Sequence, residues 1–183
     1  MDTLSRLLVG WFGSRLSGSG PSLKQLPAVL MVGEMALDLN IHTALERHLR
    51  SYAEPKLIRV ARQGYAFTPP VEEGYDETWN PIEVSASYLR TSFLPNRNER
   101  LLIQDPTHRR LGIYQIDVVD VVGRGISSAL RLAGEVADHF GMDTLLTAGV
   151  VTVRITAAPS LAPPIIDAAS MSIPVSVFYE TLI

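Results

Sequence analysis

The strongest constraint in this chain is a pair of period-two alternations near its C-terminal end. Val151, Val153 and Ile155 alternate with Thr152, Arg154 and Thr156, and Met171, Ile173, Val175, Val177 and Tyr179 alternate with Ser172, Pro174 and Ser176. Successive side chains of a strand point to opposite faces, so each pattern predicts a strand with one buried and one wet face. Pro174 has no amide hydrogen for a ladder, which predicts an edge strand or a bulge at that place. Two further strands are predicted over Ile82 to Leu94 and Leu111 to Val122. In the first, Leu89, Thr91 and Phe93 share a face; in the second, Tyr114, Ile116 and Val118 do, opposite Gln115 and Asp117. Together they read as a long antiparallel hairpin, and Leu57 to Val60 is a candidate for one more short strand.

Two helices accompany these strands. From Asp38 or Asn40 the chain places Ile41, Ala44, Leu45 and Leu49 at i, i+3, i+4 and i+8, with Glu46, Arg47 and Arg50 expected in water and Pro55 as the limit. After the turn Gly123-Arg124-Gly125, the residues Ile126, Ala129, Leu130, Ala133, Val136, Ala137 and Phe140 form a second stripe, closed by Gly141. The order of helix, hairpin, helix and two strands predicts an α+β fold: a mostly antiparallel or mixed β-sheet with two main helices packed on one face.

Size limits how much more there is. A chain of 183 residues buries roughly 70% of its unfolded surface in one core, leaving no room for a second full domain. The expected organisation is an appendage and linker over residues 1–34 and a domain over 35–183. Asp2 is a candidate cap for a short amphipathic helix with Leu4, Leu7, Leu8, Trp11 and Phe12 on one side. Ser17-Gly18-Ser19-Gly20-Pro21-Ser22 then reads as a flexible linker before the apolar patch Leu26 to Val32. The run is either a docking helix or an accessory extension, and Met35 is an alternative start of the protein.

The net charge of −3 excludes a general nucleic-acid-coating role, which needs an excess of Lys and Arg. No apolar run approaches the ~20 residues that span a bilayer, so a soluble protein without a membrane partner is expected. The absence of cysteine removes disulfides, thiolate nucleophiles and Cys-based metal sites. His42, His48, His108 and His139 do not form a metal-binding pair at helical spacing. Gly123-Arg124-Gly125 lacks the third glycine and the Lys-Ser/Thr of a phosphate loop. Asp117 and Asp120, three apart on a strand, point to opposite faces and make no catalytic dyad. Hence no catalytic, cofactor-binding or metal-binding residue is expected, and no enzyme.

Two charged segments remain as candidate interfaces. Glu72, Glu73, Asp76 and Glu77 lie in a stretch from Phe67 to Pro81 that reads as a solvated acidic loop. The excursion from Asn96 to Arg110 holds Arg97, Arg100, Arg109 and Arg110 against Glu99 and Asp105, a local charge of 4 − 2 = +2. At its centre Leu101, Leu102 and Ile103 form an apolar triplet in a polar loop, a pattern suited to contact with another protein. A loop of about fifteen residues is longer than a hairpin requires.

Several of these segments together resemble a known family. The run Phe67-Thr68-Pro69-Pro70, the strand Tyr88 to Asn96, the strand Gly112 to Val118, the helix end Ala137-Asp138-His139-Phe140, and Val153-Arg154-Ile155 before Ile173 to Val177 resemble, in that order, the tail terminator-like proteins of long-tailed bacteriophages. The resemblance covers about Leu39 to Leu182. It implies a structural virion protein: six subunits form a ring on the end of the polymerised tail tube, stop its growth and present a surface to the neck proteins of the head. It implies as partners the chain itself, the tail tube protein and a head-closure or neck protein, with DNA only as the genome passing through the lumen. The implied location is the virion, after assembly in the bacterial host cytoplasm. No catalytic residue is implied. Competing readings are another head-closure or connector protein, a small enzyme with a site built from scattered residues, and a membrane adaptor using the Leu4 to Phe12 helix.

Overall fold

The computed structural model describes residues 26–75, 78–100 and 108–182. The Asp2-capped run and the Ser-Gly linker expected in the appendage lie outside these residues. Two helices, α1 (Leu26–Ala53) and α2 (Ser127–His139), pack on one face of a nine-stranded sheet. The strands in chain order are β1 (Val60–Ala61), β2 (Val71–Tyr75), β3 (Pro81–Ser85), β4 (Tyr88–Pro95), β5 (Glu99–Arg100) and β6 (His108–Val121). After α2 come β7 (Leu145–Ala148), β8 (Val151–Ile155), β9 (Ser160–Leu161), β10 (Ile165–Ile166) and β11 (Ser170–Leu182). The main path across the sheet is β1-β4-β6-β11-β8-β7, with β5 added to β6 and with β9 and β10 added to β11. Among the described residues only β1 runs parallel to its neighbour, so the sheet is mixed and the α+β expectation is met.

The centre is the pair β6 and β11, antiparallel from Ser170 opposite Val121 to Leu182 opposite Arg109. On the helix-facing side, Tyr114, Ile116 and Val118 stand opposite Val177, Val175 and Ile173, and Leu89 of β4 stands opposite Val118. All seven are fully buried. Against them α1 sets Ile41, Ala44, Leu45 and Leu49, and α2 sets Ala129, Ala133 and Val136, followed by Phe140. Each large aliphatic or aromatic side chain removed from water here contributes about 1.5–3 kcal/mol. The stripes therefore hold the helices more firmly than intrinsic propensity does. Leu57, with φ 57°, turns the chain back after α1, where the Ile58 amide donates to the Ala53 carbonyl.

Several expectations need correction. Helix α1 begins at Leu26, not at Asp38 or Asn40, so the patch Leu26 to Val32 is its first turns and the helix runs through the 34/35 boundary. The hairpin strand expected over Ile82 to Leu94 is two strands. The segment Tyr88–Pro95 pairs with β6, whereas Pro81–Ser85 pairs with β2, Val71 opposite Ser85, in a separate two-stranded ribbon. The acidic stretch is thus partly strand rather than all loop, and the Asn96 to Arg110 excursion likewise includes β5 and, from His108, the start of β6.

Pro174 stands inside the sheet, opposite Asp117 of β6. Its carbonyl accepts from the Ala162 amide on the other flank. Both backbone groups of an antiparallel residue face the same neighbour, so the missing amide hydrogen falls on that flank, between the short strands β9 and β10. The second wet face expected for β11 is also covered over Met171 to Val175, all of them buried.

Candidate functional site

The two charged segments lie at opposite ends of β4 and β6. At one end, next to the start of β4 and the end of β6, is the β2–β3 ribbon. Glu72 pairs with Arg124 in the turn between two left-handed glycines, Gly123 and Gly125, and Glu73 is exposed. Among the described residues no strand or helix of the body packs broadly against the ribbon. Asp76 and Glu77 lie outside the described residues.

At the other end, Arg97 follows β4 and is exposed, and Arg100 is in β5 opposite His108. Leu101, Leu102 and Ile103 lie outside the described residues. Arg109 donates to Glu180 at 2.8 Å and stands 3.9 Å from Glu99. Arg154 extends this group, donating to Asp143 at 3.0 Å and reaching Glu180 at 3.5 Å. Arg110 is 6% exposed and pairs with Asp38 of α1, fastening the helix to the start of β6. The structure thus brings the arginines of the excursion to one end without bringing them to the acidic ribbon of the same chain.

Three polar arrangements under the helices were not foreseen. Glu46, expected in water, is 8% exposed. Its Oε1 accepts from Thr91 at 2.9 Å and from Tyr114 at 2.7 Å, and its Oε2 pairs with Arg62 at 3.2 Å. The face of α1 that carries it lies over β4, where no spacing along the helix reveals the two hydroxyls. Burial, reinforced by the Glu46 carboxylate, pushes the Tyr114 phenol well above the usual tyrosine range.

The second arrangement joins the ends of the two helices. The His48 and His139 rings stack with centroids 4.1 Å apart. His48 Nε2 donates to the His139 carbonyl and His139 Nε2 to the His48 carbonyl, each at 2.9 Å. Each Nε2 therefore carries a proton. Burial lowers the pKa of His48; the bond to the His139 carbonyl opposes this shift, and charge on the neighbouring His139 ring adds to it. The third is one turn farther along α1, where Tyr52 donates to Glu135 at 3.0 Å and Lys56 pairs with the same carboxylate while lying 4.2 Å over the Tyr52 ring.

Chemically these are clasps: the first holds α1 to the sheet, and the other two hold the helices to each other. Asp117 and Asp120 do face opposite sides: Asp117 accepts from Arg90 and Gln115, and Asp120 accepts from Ser128 in the first turn of α2. Among the described residues no group of three or more His, Asp or Glu could hold a metal ion, and no helix is long and apolar enough to cross a membrane. An open cleft of about 470 Å³ runs beside β4, lined by Gln63, Tyr65, Phe67, Tyr88 and Arg90 among others.

A family model described as phage tail terminator protein matches residues 40–179. That range holds the last four turns of α1 and nearly all of the sheet. A solved structure of a protein known by a serial identifier superposes with a TM-score of 0.59 at 26% identity, over 77% of this chain and 92% of that one. No curated protein matches.

Proposed function

The chain belongs to the phage tail terminator family, and from that premise we propose that it closes on copies of itself as a ring at the end of the tail tube. The ring, a hexamer, stops tube growth and offers its outer surface to a head-closure or neck protein, while the genome passes through the lumen. The observation that carries this reading is the reach of the family match, which takes in both the helix-packed core and the two charged ends. Ring contacts are heterologous: one surface of a subunit meets a different surface of the next, and closure prevents indefinite addition. A fold whose two ends differ in charge suits such contacts, because unlike ends set orientation and register more than affinity. In this reading the protein acts by shape in the virion, after assembly in the host cytoplasm, and makes or breaks no bond.

The direct test is electron microscopy of the purified protein, alone and mixed with purified tail tubes. Rings capping tube ends are the expected outcome, with tube length fixed after capping. Free tubes that continue to grow in its presence would reject the reading.

A further inference from the structure

An apolar cleft of about 310 Å³ opens at the acidic end of the fold, where β6 ends and β10 crosses the start of β11. Val122, Ile126, Pro164, Ile166 and Met171 line it, with Gly123 and Gly125 at the rim. Its walls are almost wholly apolar, and Ile166 and Val122 are 67% and 42% exposed. The Glu72–Arg124 pair lies at this rim, because Arg124 stands between the two rim glycines.

At the opposite end is an apolar turn. Strands β7 and β8 are joined by the two residues Gly149 and Val150, with Ala148 opposite Val151. Gly149 supplies the φ of +57° that the first position of this tight turn needs. The second position ordinarily takes a polar residue, yet here it carries Val150, 90% exposed. The tip is held in place, since Asn40 of α1 packs against Gly149.

The two ends match in order as well as in character. At the acidic end, the charged ribbon sits beside β4 and the cleft lies toward the far flank of β11. At the other end, Arg97 follows β4, and the Val150 tip lies on that same flank, since β8 pairs with β11 there. Arg97 and Glu73 each lack an ion pair among the described residues. Tip and Arg97 thus stand in the same order across the sheet as cleft and acidic ribbon, so one heterologous contact, repeated with the rotation that closes a ring, pairs tip with cleft and Arg97 with the ribbon. The ribbon region Pro70 to Ser85 holds five acidic residues and no Lys or Arg.

The geometry points to a head-to-tail contact in which the β7–β8 tip of one copy seats Val150 in the cleft of the next, aligned by Arg97 against the Glu73 side of its ribbon. This contact rests on the ring reading above and names the surfaces that form it. The occupant is a second copy of this chain, because the apolar tip and the unpaired cation that fit the cleft end occur together on the chain's own other end.

The chain has no cysteine, so thiols can be placed at will. Val150→Cys and Ile166→Cys chains are prepared separately, mixed and oxidised, and light scattering follows assembly in parallel. A disulfide-linked pair in the mixture, absent from either chain alone and from a Val150→Cys with Ser92→Cys control, is the expected result. Oligomers without that link overturn this contact and leave the ring reading standing; a chain that stays a single subunit at every concentration overturns both. A second arm tests the alignment. Glu73→Arg and Arg97→Glu each weaken assembly about tenfold while thermal unfolding is unchanged, and the two together in one chain restore it. A double variant no better than the singles overturns the charge pairing.

Discussion

The ring of Tyr179 lies over Gly112, its cross-strand neighbour, and fills the place where a β-carbon of residue 112 would stand. The phenol is buried and stacks on Phe93 of β4 with centroids 5.8 Å apart, so it bridges three strands by passing over a residue without a side chain. The tyrosine covers the glycine's bare backbone, and the glycine gives the ring its room.

Gly112→Ala should therefore cost about 1–3 kcal/mol, because the ring has no free direction in which to move. In a chain of this size each kcal/mol lowers the thermal midpoint by roughly 2–4 °C. Tyr179→Ala removes the obstacle, so the double variant should lose less than the sum of the single losses. Additive losses in chemical denaturation would contradict the overlap.

The Glu46 group gives a ranked expectation. Glu46→Ala strips Tyr114 and Thr91 of a buried acceptor and leaves Arg62 unpaired, a loss of about 2–4 kcal/mol. Tyr114→Phe removes a single donor from a carboxylate that keeps Thr91 and Arg62, and should cost about 1 kcal/mol. Urea unfolding of the two variants checks the order; a larger loss for Tyr114→Phe would mean that the phenol is held by something other than Glu46.

The His48–His139 clasp predicts a pH dependence. Burial holds the His48 pKa in the folded protein below the ordinary 6.5 of an unfolded chain. Between the two values the unfolded chain binds more protons, so stability is complete above 6.5 and declines as pH falls toward the folded value. Protonation also places a positive charge against the stacked His139 ring. The thermal midpoint should fall between about pH 7.5 and about pH 5, and His48→Gln should flatten that part of the profile. A variant with an unchanged slope would assign the dependence to other groups.

Arg97→Glu combined with Arg100→Glu should leave the isolated subunit folded, with circular dichroism and thermal midpoint as in the parent, and should impair the joining of tails in a complementation assay. Wild-type infectivity in that variant would reject a role for this end of the fold in assembly.

Much of the scaffold was legible because burial on one side leaves a period. The stripes at Ile41 to Leu49 and Ala129 to Phe140 and the alternation in β6 each identify an element, and the helices do cover the face that Tyr114, Ile116 and Val118 share. What failed depended on pairing between distant segments. Nothing between Ser85 and Tyr88 marks a break, so Pro81–Ser85 looked continuous with β4 until its partner Val71–Tyr75 was visible, and that partner was hidden by its acidic side chains. Glu46 was misplaced because helical spacing reports the stripe facing the sheet centre and is silent about two hydroxyls waiting on neighbouring strands. Pro174 was read as an edge because a proline usually needs one; here the gap between two short strands supplies the same freedom. The candidate interface was legible only as charge. The cleft joins residues from Val121 to Met171 that no local pattern links, and the Val150 tip had no signal beyond an apolar residue after a glycine.

The long union of β6 and β11 also bears on how the protein withstands pull. Thirteen residue pairs join these strands without a gap, and tension applied along them loads every rung at the same moment instead of parting them one by one. In the proposed ring, a head packed with genome would strain against its tail in a fixed direction. A subunit mounted with these strands along that direction would yield in shear, the stiffest way to break a sheet, and a subunit mounted crosswise would peel.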